Sequence, residues 1–188
     1  MSIYYIMEAI NDIIKKHKNL FSYVSEKTGI SISSQKEEIK DHVKSLLRNP
    51  ESGFTEHSSE ERYEGIIYEH AIRNLLKIKK SENRNYDYIY DGKEIEFKTA
   101  FRETVPIKGK LVGQEILPYE KAKEIFFITN KEPPFIIYKV SRDILFELIN
   151  KDQNIKKYFP GEMAGPYEKI ICFIPTNILE KEIVLNKI

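Results

Sequence analysis

The sequence predicts an α/β (α+β) protein: a central mixed β-sheet flanked by helices, with an N-terminal helical segment in front of it. Three observations predict this. Apolar residues recur at helical spacing at the start of the chain, as Ile3, Ile6, Met7, Ile10, Ile13 and Ile14. After residue 80 the pattern changes to short runs of strand formers, two of which flank the pair Asp91-Gly92. Helix-like and strand-like runs then alternate along the rest of the chain, an order that suits one sheet with helices packed on it.

Taken in order, residues 3–18 predict an amphipathic helix and 19–28 a second one that stops at Gly29. A third is expected over 35–48, with Val43, Leu46 and Leu47 inward and Pro50 just beyond. The polar, turn-rich stretch from Asn49-Pro50 to Ser58-Ser59 marks the expected boundary, giving a helical segment 1–50 and a core 51–188. Ser58 or Ser59 then caps a helix running to about Lys79, with Glu60 and Glu61 favourably placed in its first turn. Tyr86–Tyr90 and Glu94–Ala100 read as a hairpin about Asp91-Gly92, and no strand is read before Asp87. Residues 113–123 predict a helix. Glu124–Thr129 and Phe135–Val140 predict two strands, 142–150 a helix, then comes a polar loop and a strand near 168–174.

Composition narrows the function classes. A chain of 188 residues suits one domain, or one with a small helical appendage. Hydrophobic residues at 41% and charged residues at 31% describe an ordinary globular protein. No run approaches the roughly 18 apolar residues that cross a bilayer, and Met1-Ser2-Ile3-Tyr4-Tyr5 does not open a secretory signal. No membrane association and a cytoplasmic location are therefore expected. Cys172 is the sole cysteine, so neither an internal disulfide nor a zinc cluster can form; its apolar run Ile170-Ile171-Cys172-Phe173-Ile174 predicts a buried thiol. A net charge of +1 argues against a coat or architectural nucleic-acid protein and leaves room for a local basic cleft.

The hairpin carries the chemistry. With Asp91-Gly92 as a two-residue turn, Tyr90 pairs with Lys93, Ile89 with Glu94, Tyr88 with Ile95 and Asp87 with Glu96. Opposed residues share a face with Cβ atoms about 5 Å apart, and strand alternation adds Lys98 to that face. Tyr86, Tyr88, Ile95 and Phe97 fall on the other. Two opposed carboxylates repel unless compensated. A hard divalent cation such as Mg2+, usually held by one or two carboxylates with water and phosphate oxygens, resolves the conflict. It would also stabilise a phosphodiester transition state and acidify a water, with a nearby lysine to orient that water. The same trio also fits a solvated hairpin face carrying charges of both signs.

Asp87, eight intervening residues, then Glu96-Phe97-Lys98 resembles the PD-(D/E)XK nuclease superfamily, and within it the small type II restriction endonucleases of the PvuII kind. The resemblance covers roughly residues 60–140, continuing through a helix at Ile116–Lys123 and strands at Ile125–Thr129 and Phe135–Val140; Tyr86 stands where the motif has proline. It implies a restriction-endonuclease-like core in which Asp87, Glu96 and the Phe97 carbonyl bind Mg2+ and Lys98 assists the nucleophile. It further implies a homodimer cutting double-stranded DNA at a specific site, with a cognate DNA methyltransferase as genetic partner and segment 1–50 serving dimerisation or a DNA clamp. A structure-specific nuclease and a non-catalytic DNA-binding module are the rival readings.

In the preceding helix, Gly65-Ile66-Ile67-Tyr68-Glu69 resembles the first core helix of several such nucleases. Glu64 falls within the apolar stripe of Tyr63, Ile67, Tyr68, Ala71, Leu75 and Ile78, where an unpartnered carboxylate is costly, and Glu69 lies at its edge. One of them is expected to reach the metal or its water shell; both also fit as ordinary helix charges. Lys108 and Lys110 in Pro106-Ile107-Lys108-Gly109-Lys110 would hold a phosphate backbone or stand as solvated loop lysines. Lys77, Lys79 and Lys80 are expected to close the helix, where its dipole favours them. His17, His42, His57 and His70 are scattered, without zinc-ligand spacing.

Overall fold

The computed structural model describes residues 3–49, 52, 54–55, 58–81, 88–99, 101, 103–119, 121–133, 135–159, 169–182 and 184–187. Two compact units result, Met1–Lys77 and Ile78–Ile188. The expected boundary near residue 50 thus lies inside the first unit. The physical reason is the fourth helix, whose apolar face is buried among the three before it.

The first unit is helical. Helix α1 spans Ile3–Lys16 and α2 spans Lys18–Thr28, parted at His17 (φ −101°, ψ 26°), so the single helix expected over 3–18 ends two residues early. Gly29 closes α2 at φ 76°, a left-handed cap with its N–H on the Ser25 carbonyl. Helix α3 spans Ile32–Arg48 and starts three residues before its expected position because the Ser31 side chain accepts from Ser34 N–H. Helix α4 spans Glu60–Leu76 and stops at Lys77, which adopts φ 54°, rather than at Lys79. Ile10, Ile14, Leu20, Phe21, Val24, Ile39, Val43, Ile67 and Ile72 form its core.

The second unit holds a mixed sheet flanked by helices. Its strands are β1 (Lys79–Lys80), β2 (Tyr88–Tyr90), β3 (Lys93–Thr99), β4 (Thr104–Val112), β5 (Glu115–Pro118), β6 (Glu124–Ile128) and β7 (Ile136–Ser141). Helix α5 (Arg142–Lys151), β8 (Lys156–Tyr158), β9 (Ile170–Pro175), α6 (Thr176–Glu182) and β10 (Val184–Lys187) follow. Among the described residues one sheet runs β1-β2-β3-β6-β7-β10 and a second runs β5-β4-β9-β8. All described pairings are antiparallel except β3 with β6, which run parallel from Ile95↔Glu124 to Thr99↔Ile128.

Four expectations are corrected here. Residues 113–123 are not a helix: Gly113 (φ 64°) turns the chain so that β5 pairs back on β4, and Asn150 fastens β5. The Asn150 side chain accepts from Ile116 N–H at 2.8 Å and donates to the Ile116 carbonyl at 3.0 Å. Lys108 and Lys110 lie on a strand, not a loop. Lys79 and Lys80 form β1, the strand before the hairpin that sequence patterning missed, rather than the end of a helix. Part of the expected polar loop, Lys156–Tyr158, forms the edge strand β8. The two sheets and α5 share one apolar core, built from Val105, Ile107, Ile116, Ile125, Phe127, Tyr138, Val140, Leu145 and Ile149, with Cys172 buried in it.

Candidate active site on the central hairpin

Local geometry follows from the turn. Asp91 and Gly92 adopt φ 49° and 72°, both left-handed, as a two-residue type I′ hairpin turn requires. The register is Tyr88↔Ile95, Ile89↔Glu94 and Tyr90↔Lys93, the pairing the sequence predicts. Asp87, like Tyr86 and His57, lies outside the described residues.

β3 separates its side chains cleanly. Ile95 and Phe97 are buried on one face, against Tyr88 and Phe126. Ring centroids there are 5.3 Å (Tyr88–Phe97), 5.7 Å (Phe97–Phe126) and 5.4 Å (Tyr90–Phe126), all edge-to-face, so the hairpin is braced by aromatic packing. Glu96 and Lys98 occupy the opposite face. Across the parallel ladder Glu96 stands beside Ile125 and Lys98 beside Phe127, both fully buried members of the shared core. The Lys98 ammonium donates a hydrogen bond to Glu96 Oε1. The two side chains are 30% and 19% exposed, so this ion pair sits at the rim of an apolar core.

Such a rim pair can do acid–base or electrostatic work. The Glu96 carboxylate and the Phe97 carbonyl are hard oxygen donors of the type Mg2+ takes, and in that respect they fit the expected ion. Among the described residues, no group of three or more His, Cys, Asp or Glu side chains is arranged to hold a metal ion. Glu96 is one of the two carboxylates of the expected site; the other, Asp87, lies outside the described residues.

Glu64 and Glu69 stand on α4, in the helical unit. Glu64 Oε1 lies 3.1 Å from His17 Nε2, whose Nδ1 in turn lies 3.4 Å from the hydroxyl of buried Tyr68. That is the partner the apolar stripe demanded. Lys108 and Lys110 are exposed on the face of β4 turned away from the shared core, whereas Glu96 and Lys98 face that core, so the structure does not bring the two pairs together.

Sequence reading missed two polar clusters. Glu124 lies within the run Glu124-Ile125-Phe126-Phe127-Ile128 and is buried, with Lys93 Nζ 2.6 Å from Oε1. Lys139 Nζ lies 3.1 Å from Oε2, close enough to act through charge although not aligned for a hydrogen bond. Burial raises the pKa of this carboxyl, but the two ammonium groups outweigh it and hold the group below its ordinary value. A glutamate opening an all-buried strand was the available signal. In the helical unit His42 Nδ1 lies 2.8 Å from His70 Nε2, and Arg73 reaches both His70 Nδ1 (3.0 Å) and Glu38 Oε2 (2.7 Å). Nothing in the spacing of these histidines signalled the pairing.

Compared with known proteins, the chain matches no family model, no curated protein and no solved structure.

Proposed function

We propose that this chain is a magnesium-dependent type II restriction endonuclease that hydrolyses phosphodiester bonds at a specific double-stranded DNA site. One observation carries the reading: Glu96 and Lys98 are joined on the inner-rim face of β3, on a hairpin paired as Tyr88↔Ile95, Ile89↔Glu94 and Tyr90↔Lys93. The strand order supports it, since β1-β2-β3 form an antiparallel meander followed by the parallel neighbour β6. This is a mixed sheet of the kind a restriction-endonuclease-like core needs.

In this reading Asp87, Glu96 and the Phe97 carbonyl hold Mg2+. When bound, the ion would acidify a water and offset charge on the phosphate. Lys98, tethered to Glu96, would present its ammonium beside the carboxylate, where it could orient the nucleophile by hydrogen bonding. The apolar row of Ile125 and Phe127 behind the pair keeps bulk water from its inner side and strengthens the local field. A homodimer matching a two-fold DNA site and a methyltransferase partner belong to the same proposal.

The test is cleavage of a mixed DNA substrate with magnesium, calcium or chelator, run beside Asp87→Asn, Glu96→Gln and Lys98→Met. Discrete fragments with magnesium alone, lost in all three variants, are expected. Cleavage confined to branched DNA would transfer the reading to a structure-specific nuclease. Cleavage that survives all three substitutions would refute the site.

A further inference from the structure

Glu96 and Lys98 stand two residues apart on β3, so strand alternation puts both side chains on one face and lets the ammonium reach the carboxylate. The rows beside them decide what else the carboxylate meets. Glu96 pairs with Ile125, and Ile125 with Val140; Lys98 pairs with Phe127, and Phe127 with Tyr138. Ile125, Val140 and Phe127 are buried and apolar, so that side of the sheet offers the carboxylate no side-chain donor in its own row. Among the described residues, the partner of Glu96 is Lys98. The reverse does not hold. Lys98 takes part in at least one further interaction, so Glu96 is one partner of its ammonium among others.

An ammonium and a hard divalent cation seek the same thing, the lone pairs of a carboxylate oxygen. Oε1 of Glu96 already accepts from Lys98, and a positive charge held there also repels a second cation arriving within a few ångströms. The side chains are 19% and 30% exposed, so water screens this repulsion only in part. A cation entering at Glu96 therefore has to move the ammonium off the oxygen. Glu124 is built otherwise: Lys93 and Lys139 both lie against it, so displacing one ammonium leaves the other in place.

We infer that Lys98 is a built-in competitor of the metal ion at Glu96, an extension that rests on the nuclease reading of this hairpin. Without a cation, Lys98 closes the carboxylate. Cation binding and the release of Lys98 from Glu96 are then one event, and the released ammonium stays beside the carboxylate because the strand holds both. Lys98 thus opposes the loading of the ion with which it works.

The test is titration calorimetry with calcium chloride in the absence of DNA, on the full chain and on variants whose folding is checked by circular dichroism. Lys98→Met should bind calcium about tenfold tighter than the parent, the scale of one half-buried ion pair. Lys98→Arg keeps the charge and should stay within about twofold of the parent. Glu96→Gln should lose the site. Lys93→Met removes the same charge beside Glu124, on the opposite face of β3, and should also stay within about twofold, because Lys139 remains. In the parent itself, the Lys98 Nζ resonance should shift when calcium is added, a readout that needs no variant to fold. Calcium binding by Lys98→Met no tighter than by the parent, an equal gain in Lys93→Met, a Lys98 resonance indifferent to calcium, or no calcium binding at all would each overturn the inference. Magnesium-dependent DNA cleavage without the calcium gain would remove this competition and leave the nuclease reading standing. The calcium gain without cleavage of any DNA would do the reverse.

Discussion

The Glu96–Lys98 pair makes a stability measurement bear on function. Exposed ion pairs in proteins contribute about 0.2–1 kcal/mol, while removing one partner of a fully buried pair costs about 3–5 kcal/mol. With its members 19% and 30% exposed, this pair falls between, and we expect a coupling energy of about 1–2 kcal/mol from a double-mutant cycle. Lys98→Leu alone should destabilise, because it leaves the Glu96 carboxylate beside Ile125 without its ammonium. Glu96→Leu alone should behave similarly. The double variant extends the apolar row of Ile125 and Phe127, and its stability should equal or exceed that of the parent, as when buried pairs give way to hydrophobic ones. DNA cleavage should be absent from all three. The assay is urea unfolding followed by circular dichroism, with nuclease activity measured on the same preparations. A coupling within about 0.3 kcal/mol of zero, the usual margin of additivity, would identify a solvated surface pair and refute the reasoning. A stabilised double variant that still cuts DNA would sever the pair from catalysis.

Other substitutions probe the frame around the site. The Glu124 carboxyl is held below its ordinary value in the folded state, so its contribution is present above the unfolded pKa and is lost as pH falls through the lower folded one; Glu124→Gln should flatten the acid limb of the unfolding profile below about pH 4.5. Gly109→Ala places a Cβ 2.7 Å from Ile116 Cγ2 and 3.1 Å from the Leu117 carbonyl oxygen, and should destabilise by about 1–3 kcal/mol in urea titration. Gly92→Ala meets no atom within 4 Å, so only its left-handed backbone matters; a loss of about 1 kcal/mol, seen as faster amide exchange across β2 and β3, is expected. Asn150→Ala removes the clamp on Ile116 and should expose β5 to hydrogen exchange while β6 and β7 stay protected.

Legibility in the sequence followed the range of the interaction that decides each element. The Asp91-Gly92 turn and the alternation along β3 are settled by neighbours a few residues away, so patterning reached the hairpin register. β5 illustrates the opposite case. Ile116-Leu117-Pro118-Tyr119 followed by Glu120-Lys121-Ala122-Lys123 offers enough helix formers to suggest a helix, yet pairing with β4 and the distant Asn150 clamp win. β1 consists of two exposed lysines and carries no apolar signal; only its pairing with β2 makes it a strand. For the site itself, alternation was enough to join Glu96 to Lys98. The pairing of His17 with Glu64 and of His42 with His70 arises from helices packed far apart in sequence, which no periodicity encodes.

The route of the chain between β3 and β6 bears on what the site can do. Parallel neighbours need a crossover, usually a helix laid over one face of the sheet. Here the crossover contains β4 and β5, which build a second sheet whose inner residues Val105 and Ile107 share a core with Ile125 and Phe127. The face of β3 that carries Glu96 and Lys98 is thereby backed by a closed apolar layer. Surface pairs elsewhere in the protein, such as Lys15–Asp12 and Lys151–Glu147, keep their side chains about two-thirds exposed or more, so the hairpin pair is not a member of that solvated class. Burial alone does not imply function, since Lys93–Glu124 lies equally close to apolar packing on the other face. The two differ among the described residues: Glu124 is balanced by Lys93 and Lys139 together, whereas Glu96 is held by Lys98. In the proposed reading Glu96, rather than Glu124, is the carboxylate that would take a cation from solution.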